Sequence, residues 1–157
     1  MDVDDILTSV SYEKADLSHI KQIVDIENIC FVTPWSENSY IDELRDERAH
    51  YLVAMLEGEV IGYCGYWDIV EEAHITNIAV HPDYRGRGIG CGLLKTLIDY
   101  AAQSGIGSFT LEVREDNDAA KKLCEKFGFS VCGTRRNYYQ KEKKHALIMW
   151  MHTKEIK

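Results

Sequence analysis

The sequence predicts a mixed α/β (α+β) fold, in which a largely antiparallel central sheet of about seven strands is flanked by about four helices. Two apolar runs joined by a short glycine turn near the middle of the chain are typical of a β-hairpin, and other segments carry apolar residues at helical spacing. The 157 residues are 45% hydrophobic and 28% charged, a globular composition that excludes disordered and collagen-like classes. We therefore expect a single domain over residues 1–157.

The predicted elements follow the order β-α-α-β-β-β-α-β-α-β-β. Ile20, Ile23 and Ile26 lie near helical spacing and predict the first helix, and Ser36 is a suitable N-cap for the second. Glycines at 105 and 128 are placed to end the third and fourth helices. The predicted strands are 8–14, 51–56, 60–70, 74–80, 109–113, 129–139 and 145–152, and the predicted helices are 17–30, 36–45, one containing 93–102, and 117–127.

The charge and cysteine content restrict the partners and the compartment. Eighteen Lys and Arg against 26 Asp and Glu give a net charge of -8, which disfavours direct nucleic-acid binding and attracts cationic amines or basic peptides. The five cysteines include no C-x-x-C pair, so we expect neither a disulfide framework nor a zinc knuckle, and a reduced, cytoplasmic protein. No signal-like or bilayer-length apolar segment occurs. We expect no membrane partner, and a monomer or weak dimer.

A glycine-rich turn between a predicted strand and a predicted helix is the sharpest chemical feature of the sequence. It reads Arg85-Gly86-Arg87-Gly88-Ile89-Gly90 and is followed by Cys91. Glycines here allow backbone N–H groups to approach an anion, and the helix N-terminus adds positive potential. The turn matches neither the dinucleotide fingerprint nor the Walker A motif. It therefore offers a cradle for a phosphate or pyrophosphate, the alternative being a glycine-rich turn without a ligand.

Five motifs together resemble one enzyme superfamily. Arg85-x-x-Gly88-x-Gly90, placed after Ile78-Ala79-Val80-His81-Pro82, resembles the acetyl-CoA signature of the GNAT N-acetyltransferases, and the element order resembles that fold over nearly the whole chain. Four further motifs resemble the ribosomal-protein-alanine N-acetyltransferases (RimI type) of this superfamily. They are Pro34-Trp35-Ser36-Glu37, Asn77-Ile78-Ala79-Val80, Leu111-Glu112-Val113-Arg114 and Arg135-Arg136-Asn137-Tyr138-Tyr139.

The resemblance implies acetyl-CoA as the cosubstrate and assigns residues to it. Pantetheine carries two amides and can add to a strand edge as a pseudo-strand. Ile78, Ala79 and Val80 would be its main-chain partners, one N–H polarising the thioester carbonyl, and the pyrophosphate would rest on the amides of residues 86–91. Asn117 matches the asparagine that the family places near the cofactor, and its alternative role is to cap the following helix.

Glu112 matches the catalytic glutamate of the family's Leu-Glu-Val-Arg motif, which implies a general base. Acetyl transfer needs a neutral amine, and at pH 7 roughly a tenth of an α-amino group but under about a thousandth of a lysine side chain is neutral. A single carboxylate acting directly or through water suits the α-amino case. Without the resemblance, a glutamate on an alternating strand is more commonly a solvated outward residue.

Cys124 departs from the family pattern, which usually has a tyrosine here that protonates the departing CoA thiolate. A thiol with a pKa near 8.5 is matched to that thiolate and is a candidate catalytic acid. A free cysteine is more often a small buried hydrophobic residue. Tyr138, Tyr139 or water are then the alternative donors, or the thiolate leaves unaided.

The resemblance also implies that the Pro34-Trp35 loop and Tyr138-Tyr139 form the walls of a site for a peptide N-terminus. Trp35 and Tyr40 flank Ser36 at the spacing of a hydrophobic staple, so Trp35 has an equally good structural explanation. Of the six histidines, His81 is nearest to the cradle but has no second ligand at metal spacing. No metal site is expected.

We therefore predict an acetyl-CoA-dependent N-acetyltransferase of a protein N-terminal α-amino group, the N-terminal alanine of a ribosomal protein being the predicted target and Glu112 the base in a direct transfer. One alternative is a GNAT acetyltransferase of small amines or lysine side chains, which the acidic charge suits. Another is a weakly catalytic acyl-CoA-binding regulatory module, which the cysteine at position 124 supports. The cradle is common to all three.

Overall fold

The computed structural model describes residues 9–139 and 141–153, and its elements follow the predicted order, which confirms the predicted fold class. Residue 8, the first residue of the predicted N-terminal strand, lies outside the described residues. The strands are β1 (Ser11–Lys14), β2 (Ala49–Leu56), β3 (Glu59–Ile69), β4 (Glu72–Val80), β5 (Ser108–Arg114), β6 (Ser130–Tyr139) and β7 (Lys144–His152). The helices are α1 (Ile20–Cys30), α2 (Glu37–Arg45), α3 (Ile89–Gln103) and α4 (Asp118–Lys126), with short 3₁₀ helices at Leu17–His19 and Pro82–Tyr84.

The strands form one seven-stranded sheet in the order β1-β2-β3-β4-β5-β7-β6. Neighbouring strands are antiparallel except β4 and β5, which run parallel. This parallel pair is joined only at its start, where residues 72–74 pair with residues 108–110. Because β4 continues to Val80 and β5 to Arg114, the two strands separate and leave an opening in the sheet, called here the β4–β5 gap.

A β-bulge in β4 lies where the two strands begin to separate. Tyr66 pairs with Ile75 and Gly65 pairs with Asn77, so Thr76 is an extra residue in β4. The Thr76 hydroxyl donates to the Gly65 carbonyl at 3.2 Å. A bulge bends the strand that carries it, which accounts for the divergence of β4 from β5.

The helix ends use residues that the sequence predicts for them. Ser36 Oγ accepts a first-turn N–H at 3.1 Å and caps α2, and Asn117 Oδ1 does the same for α4, also at 3.1 Å. Gly105 and Gly128 follow α3 and α4 with φ of 92°, the left-handed conformation in which helices commonly end. These local signals fix where α2 and α4 begin and where α3 and α4 end.

Helices cover both faces of the sheet. The face under α3 is apolar, with fully buried Leu93, Leu94, Leu97, Phe109 and Met149. The face under α1 and α2 combines isoleucines with buried tyrosines, among them Ile23, Ile26, Tyr40, Tyr51 and Tyr63. Leu111 and Val113 of β5 belong to the α3 side, so Glu112 between them points to the face of α1 and α2. In the part of the chain that the structure describes, no helix is long and apolar enough to cross a membrane.

Candidate active site

The β4 edge of the gap presents backbone groups that face away from β3. The His81 N–H donates to a β3 carbonyl at 2.8 Å, and the register makes Ala79 the next bonded residue along the strand. Because bonded and non-bonded pairs alternate in an antiparallel ladder, Ile78 and Val80 direct their N–H and C=O groups into the gap. Of the three residues assigned to pantetheine, Ala79 has its backbone groups on the β3 side.

The glycine-rich turn leads into the N-terminus of α3. Gly86 and Gly88 have φ of 76° and 82°, a left-handed conformation that L side chains rarely adopt. Gly88 is the N-cap, and its carbonyl accepts from the Gly92 N–H at 3.0 Å. The N–H groups of residues 89–91 precede this bond, so they have no acceptor within the helix. This end of α3, which borders the gap, therefore fits an anionic ligand.

Arg85 turns back from the cradle towards the end of β4. Its Nε donates to the Val80 carbonyl at 3.0 Å, and its Nη2 lies 3.0 Å from Cys30 Sγ. The guanidinium therefore joins β4 to the end of α1. Arg85 therefore supports the edge of the gap at its Val80 end, where the Val80 carbonyl already has a donor.

Two other cations belong to the cradle or contact it. The Arg87 guanidinium lies over the Tyr84 ring, 5.9 Å from its centroid. Lys126, in the last turn of α4, has its Nζ 3.8 Å from Cys91 Sγ. The sequence does not point to Lys126, because no motif marks this residue and only the packing of α4 beside α3 brings it to the cradle.

Glu112 lies on β5 beyond the last residue that pairs with β4, beside the open part of the gap. Its side chain is 29% exposed, and its Oε1 forms an ion pair with Arg135 Nε at 2.9 Å. The Arg135 side chain is 58% exposed, and an ion pair of this kind is worth at most about 1 kcal/mol. A positively charged amine can therefore replace the guanidinium at this carboxylate.

A disruption of β6 brings a pair of tyrosines close to Glu112. The β6–β7 register shifts between Arg135 and Tyr139, and Asn137 within this segment has φ of 55°. The Tyr138 and Tyr139 rings meet edge to face, with centroids 5.1 Å apart. Burial and the nearby Glu112 carboxylate raise the pKa of Tyr138, and burial raises the pKa of Tyr139 to about 12. Both phenols therefore keep their protons at neutral pH.

Cys124 lies in the apolar core. It is 2% exposed and belongs to the same buried cluster as Leu111 and Val113, whereas Glu112 points to the opposite face of the sheet. Burial and the neighbouring Glu125 raise the pKa of its thiol to about 11. These contacts favour a packing role for Cys124.

Trp35 lies in the loop of residues 31–36, which joins α1 to α2 on the face to which Glu112 points. Its ring is 5.5 Å from the Tyr40 ring, the contact that a hydrophobic staple requires, and the residue is still 42% exposed. The backbone N–H of Trp35 donates to Glu27 Oε2 at 3.0 Å. The backbone of Trp35 is thus fixed, while much of its ring stays open to solvent.

Asn117 and His81 have local structural partners. Asn117 caps α4, as described above, and His81 Nδ1 accepts from the Asp83 N–H at 3.1 Å at the start of a 3₁₀ helix. Over residues 9–139 and 141–153, no cluster of three His, Cys, Asp or Glu side chains has an arrangement that would hold a metal ion.

Comparisons with known proteins match this architecture. The model of the Acetyltransferase (GNAT) family matches residues 20–129. A Bacillus subtilis (strain 168) protein, provisionally named a ribosomal protein bS18-alanine N-acetyltransferase, is 37% identical over 145 residues, which cover 92% of this chain and 96% of that protein. The Escherichia coli (strain K12) ribosomal protein bS18-alanine N-acetyltransferase is 35% identical over 114 residues, covering 73% and 76%. The crystal structure of the ribosomal-protein-S18-alanine N-acetyltransferase from Escherichia coli has a TM-score of 0.85 to this chain at 31% identity, covering 92% and 94%.

The overall fold of the chain therefore matches that of a solved N-acetyltransferase. The chain belongs to the Acetyltransferase (GNAT) family. It is an N-acetyltransferase, similar to the ribosomal-protein-alanine N-acetyltransferases of the RimI type.

Proposed function

We propose that the protein transfers the acetyl group of acetyl-CoA to the α-amino group of a protein N-terminus, with the N-terminal alanine of a ribosomal protein as its substrate. The names of the relatives at 37% and 35% identity support this choice of substrate. The observation that carries the proposal is the partly exposed Glu112 carboxylate beside the open part of the gap. One carboxylate suits an α-amino group, whose pKa is near 8.

The residues around the gap fit acetyl-CoA, which supplies a reactive thioester when it is bound. Ile78 offers its N–H and C=O groups to the pantetheine amides, and Val80 offers its N–H, because the Val80 carbonyl accepts from Arg85. Residues 86–91 offer N–H groups for the pyrophosphate. A Cβ on Gly86 would meet nothing within 4 Å, and Gly86 has a positive φ. Glycine is therefore required there by the backbone conformation and leaves the cradle open. Asn117, at the start of α4, is a further residue near this ligand.

A carboxylate of this chain accepts the proton that the amine must lose. The α-ammonium group replaces Arg135 at Glu112, and the carboxylate takes its proton and leaves a neutral nucleophile. Trp35 and the Tyr138–Tyr139 pair stand on the same face as Glu112 and form the walls for the first residues of the peptide. Since Cys124 is buried, Tyr138 or water supplies the proton to the departing thiolate.

The test is CoA release with acetyl-CoA and a set of matched amines. Two peptides of one sequence are compared, one with a free N-terminal alanine and one with a blocked N-terminus and an internal lysine, alongside a polyamine. Turnover confined to the free N-terminus is expected. Turnover only on lysine or the polyamine would overturn the substrate, and acetyl-CoA binding without any turnover would favour a regulatory binding module.

A further inference from the structure

A buried carboxylate joins four parts of the fold beside the proposed amine site. Glu27 on α1 is 3% exposed. Its Oε1 accepts from the Tyr40 hydroxyl at 2.6 Å and from the Tyr63 hydroxyl, and the Asn77 amide lies at 3.5 Å. Its Oε2 accepts from the Trp35 N–H at 3.0 Å. The partners come from α2, β3, β4 and the loop of residues 31–36.

Each of these partners presents a donor to Glu27. Burial, together with the Glu27 carboxylate, raises the pKa of Tyr40 and Tyr63, so both phenols keep their protons and donate. The Asn77 amide also donates to the Tyr40 hydroxyl at 3.0 Å, which leaves the tyrosine proton for Glu27. A side chain at position 27 must therefore accept on two sides at once, which a carboxylate does and an amide does not.

The two carboxylate oxygens of Glu27 accept from different parts of the fold. Oε1 accepts from residues of the sheet and of α2, among them Asn77, which directly precedes Ile78 of the gap edge. Oε2 holds only the backbone of Trp35 among the described contacts. The loop is also anchored at its ends, by the Phe31 N–H to the Glu27 carbonyl and by the Ser36 cap of α2, and the bond to Oε2 fixes its backbone at Trp35.

We propose that Glu27 is a positioning residue for the acetyl acceptor: its carboxylate fixes the loop of residues 31–36 against β4, so that Trp35 forms one wall of the amine site. The inference rests on the proposed function in that it takes this loop as an acceptor-binding element. Glu27 touches neither reacting group. Its effect should therefore appear in acceptor binding and leave acetyl-CoA binding unchanged.

The test is Glu27→Gln, with Glu43→Gln as the matched control. Glu43 is a second buried glutamate, 8% exposed, but Tyr51 and Trp67 both donate to its Oε1, at 3.2 Å and 2.6 Å. A glutamine carbonyl can keep both of those bonds. At position 27 a glutamine that keeps the tyrosines turns its NH₂ towards the Trp35 N–H, so two donors face each other and the loop is released.

For Glu27→Gln we expect the KM of the acceptor peptide to rise about 10-fold, the scale of one lost hydrogen bond to a charged group. The KM of acetyl-CoA and kcat should stay within about twofold of wild type, and Glu43→Gln should change neither KM. An unchanged peptide KM in Glu27→Gln, or an equal rise in both KM values, would overturn the inference. If Glu27→Gln does not fold, Glu27→Asp makes the same comparison, because its shorter side chain cannot reach both sides. If the wild type acetylates only lysine or a small amine, the proposed function fails, and the KM comparison with that amine still tests Glu27.

Discussion

Replacing Glu112 by glutamine should lower kcat strongly and change the stability of the protein little. The amide keeps the shape of the side chain and an acceptor for Arg135, whose bond to Glu112 is 2.9 Å long with both side chains partly exposed. Loss of charge in such a pair costs at most about 1 kcal/mol, which corresponds to a fall in Tm of about 2–4 °C for a chain of this size. Loss of a general base lowers kcat about 10²- to 10⁴-fold. We therefore expect a folded protein that binds acetyl-CoA normally and turns over very slowly.

The assay is steady-state CoA release with the N-terminal alanine peptide, combined with thermal unfolding of each variant. Glu72→Gln is the control, because Glu72 is also a strand carboxylate in a partly exposed pair, with His74 at 3.2 Å, and lies at the closed end of the gap. This control should retain wild-type kcat. If Glu112→Gln kept kcat within about threefold of wild type, or lost acetyl-CoA affinity as much as kcat, the assignment of Glu112 as the base would be refuted.

Three further substitutions, one of them with a control variant, test the cradle, the packing of the sheet and the position of Cys124. Gly86→Ala should raise the KM of acetyl-CoA about 5-fold and leave the peptide KM unchanged, because a side chain at a left-handed φ costs about 1 kcal/mol; an unchanged KM would remove this turn from the cradle. Gly65→Ala should lower the free energy of unfolding in urea by about 1–3 kcal/mol, because its Cβ would lie 2.6 Å from Tyr51 Cδ1. In the control Gly58→Ala the new Cβ meets nothing within 4 Å, and only the positive φ of 82° should cost about 1 kcal/mol. Cys124→Ala should reduce the fall in unfolding free energy that the wild type shows as the pH rises above 9. Burial raises the pKa of this thiol from 9.0 to about 11, so its contribution is fully present below pH 9 and disappears as the pH rises through 11. If the unfolding free energy of the variant fell with pH as steeply as that of the wild type, the core position of Cys124 would be contradicted. A changed alkaline limb of the pH–rate profile would indicate that Cys124 is the catalytic acid.

Local signals in the sequence are sufficient to predict the helices, the strands and the glycine-rich cradle. Ser36 and Asn117 cap helices because the groups that they bond are three residues away along the chain. The glycines at 86 and 88 reveal the left-handed turn before α3, since few other residues adopt it. Such features depend on chain neighbours, and a sequence carries that information directly.

The buried network around Glu27 could not be predicted in this way. Its partners Tyr63 and Asn77 are 36 and 50 residues away, and on α1 alone a glutamate after Ile26 is expected to face solvent. The orientation of Ala79 depends in the same way on the bulge at Thr76. An extra residue in a strand exchanges the inward and outward backbone groups beyond it, and no residue type marks that exchange.

The most direct test of the central claim is to let two amines compete on one molecule. A peptide with a free N-terminal alanine and an internal lysine is incubated with the enzyme and acetyl-CoA at pH 7, and the acetylated nitrogen is located by tandem mass spectrometry. We expect acetylation of the α-amino nitrogen alone, at a rate about 10²- to 10⁴-fold lower in the Glu112→Gln variant. Acetylation of the lysine in preference to the N-terminus would contradict it.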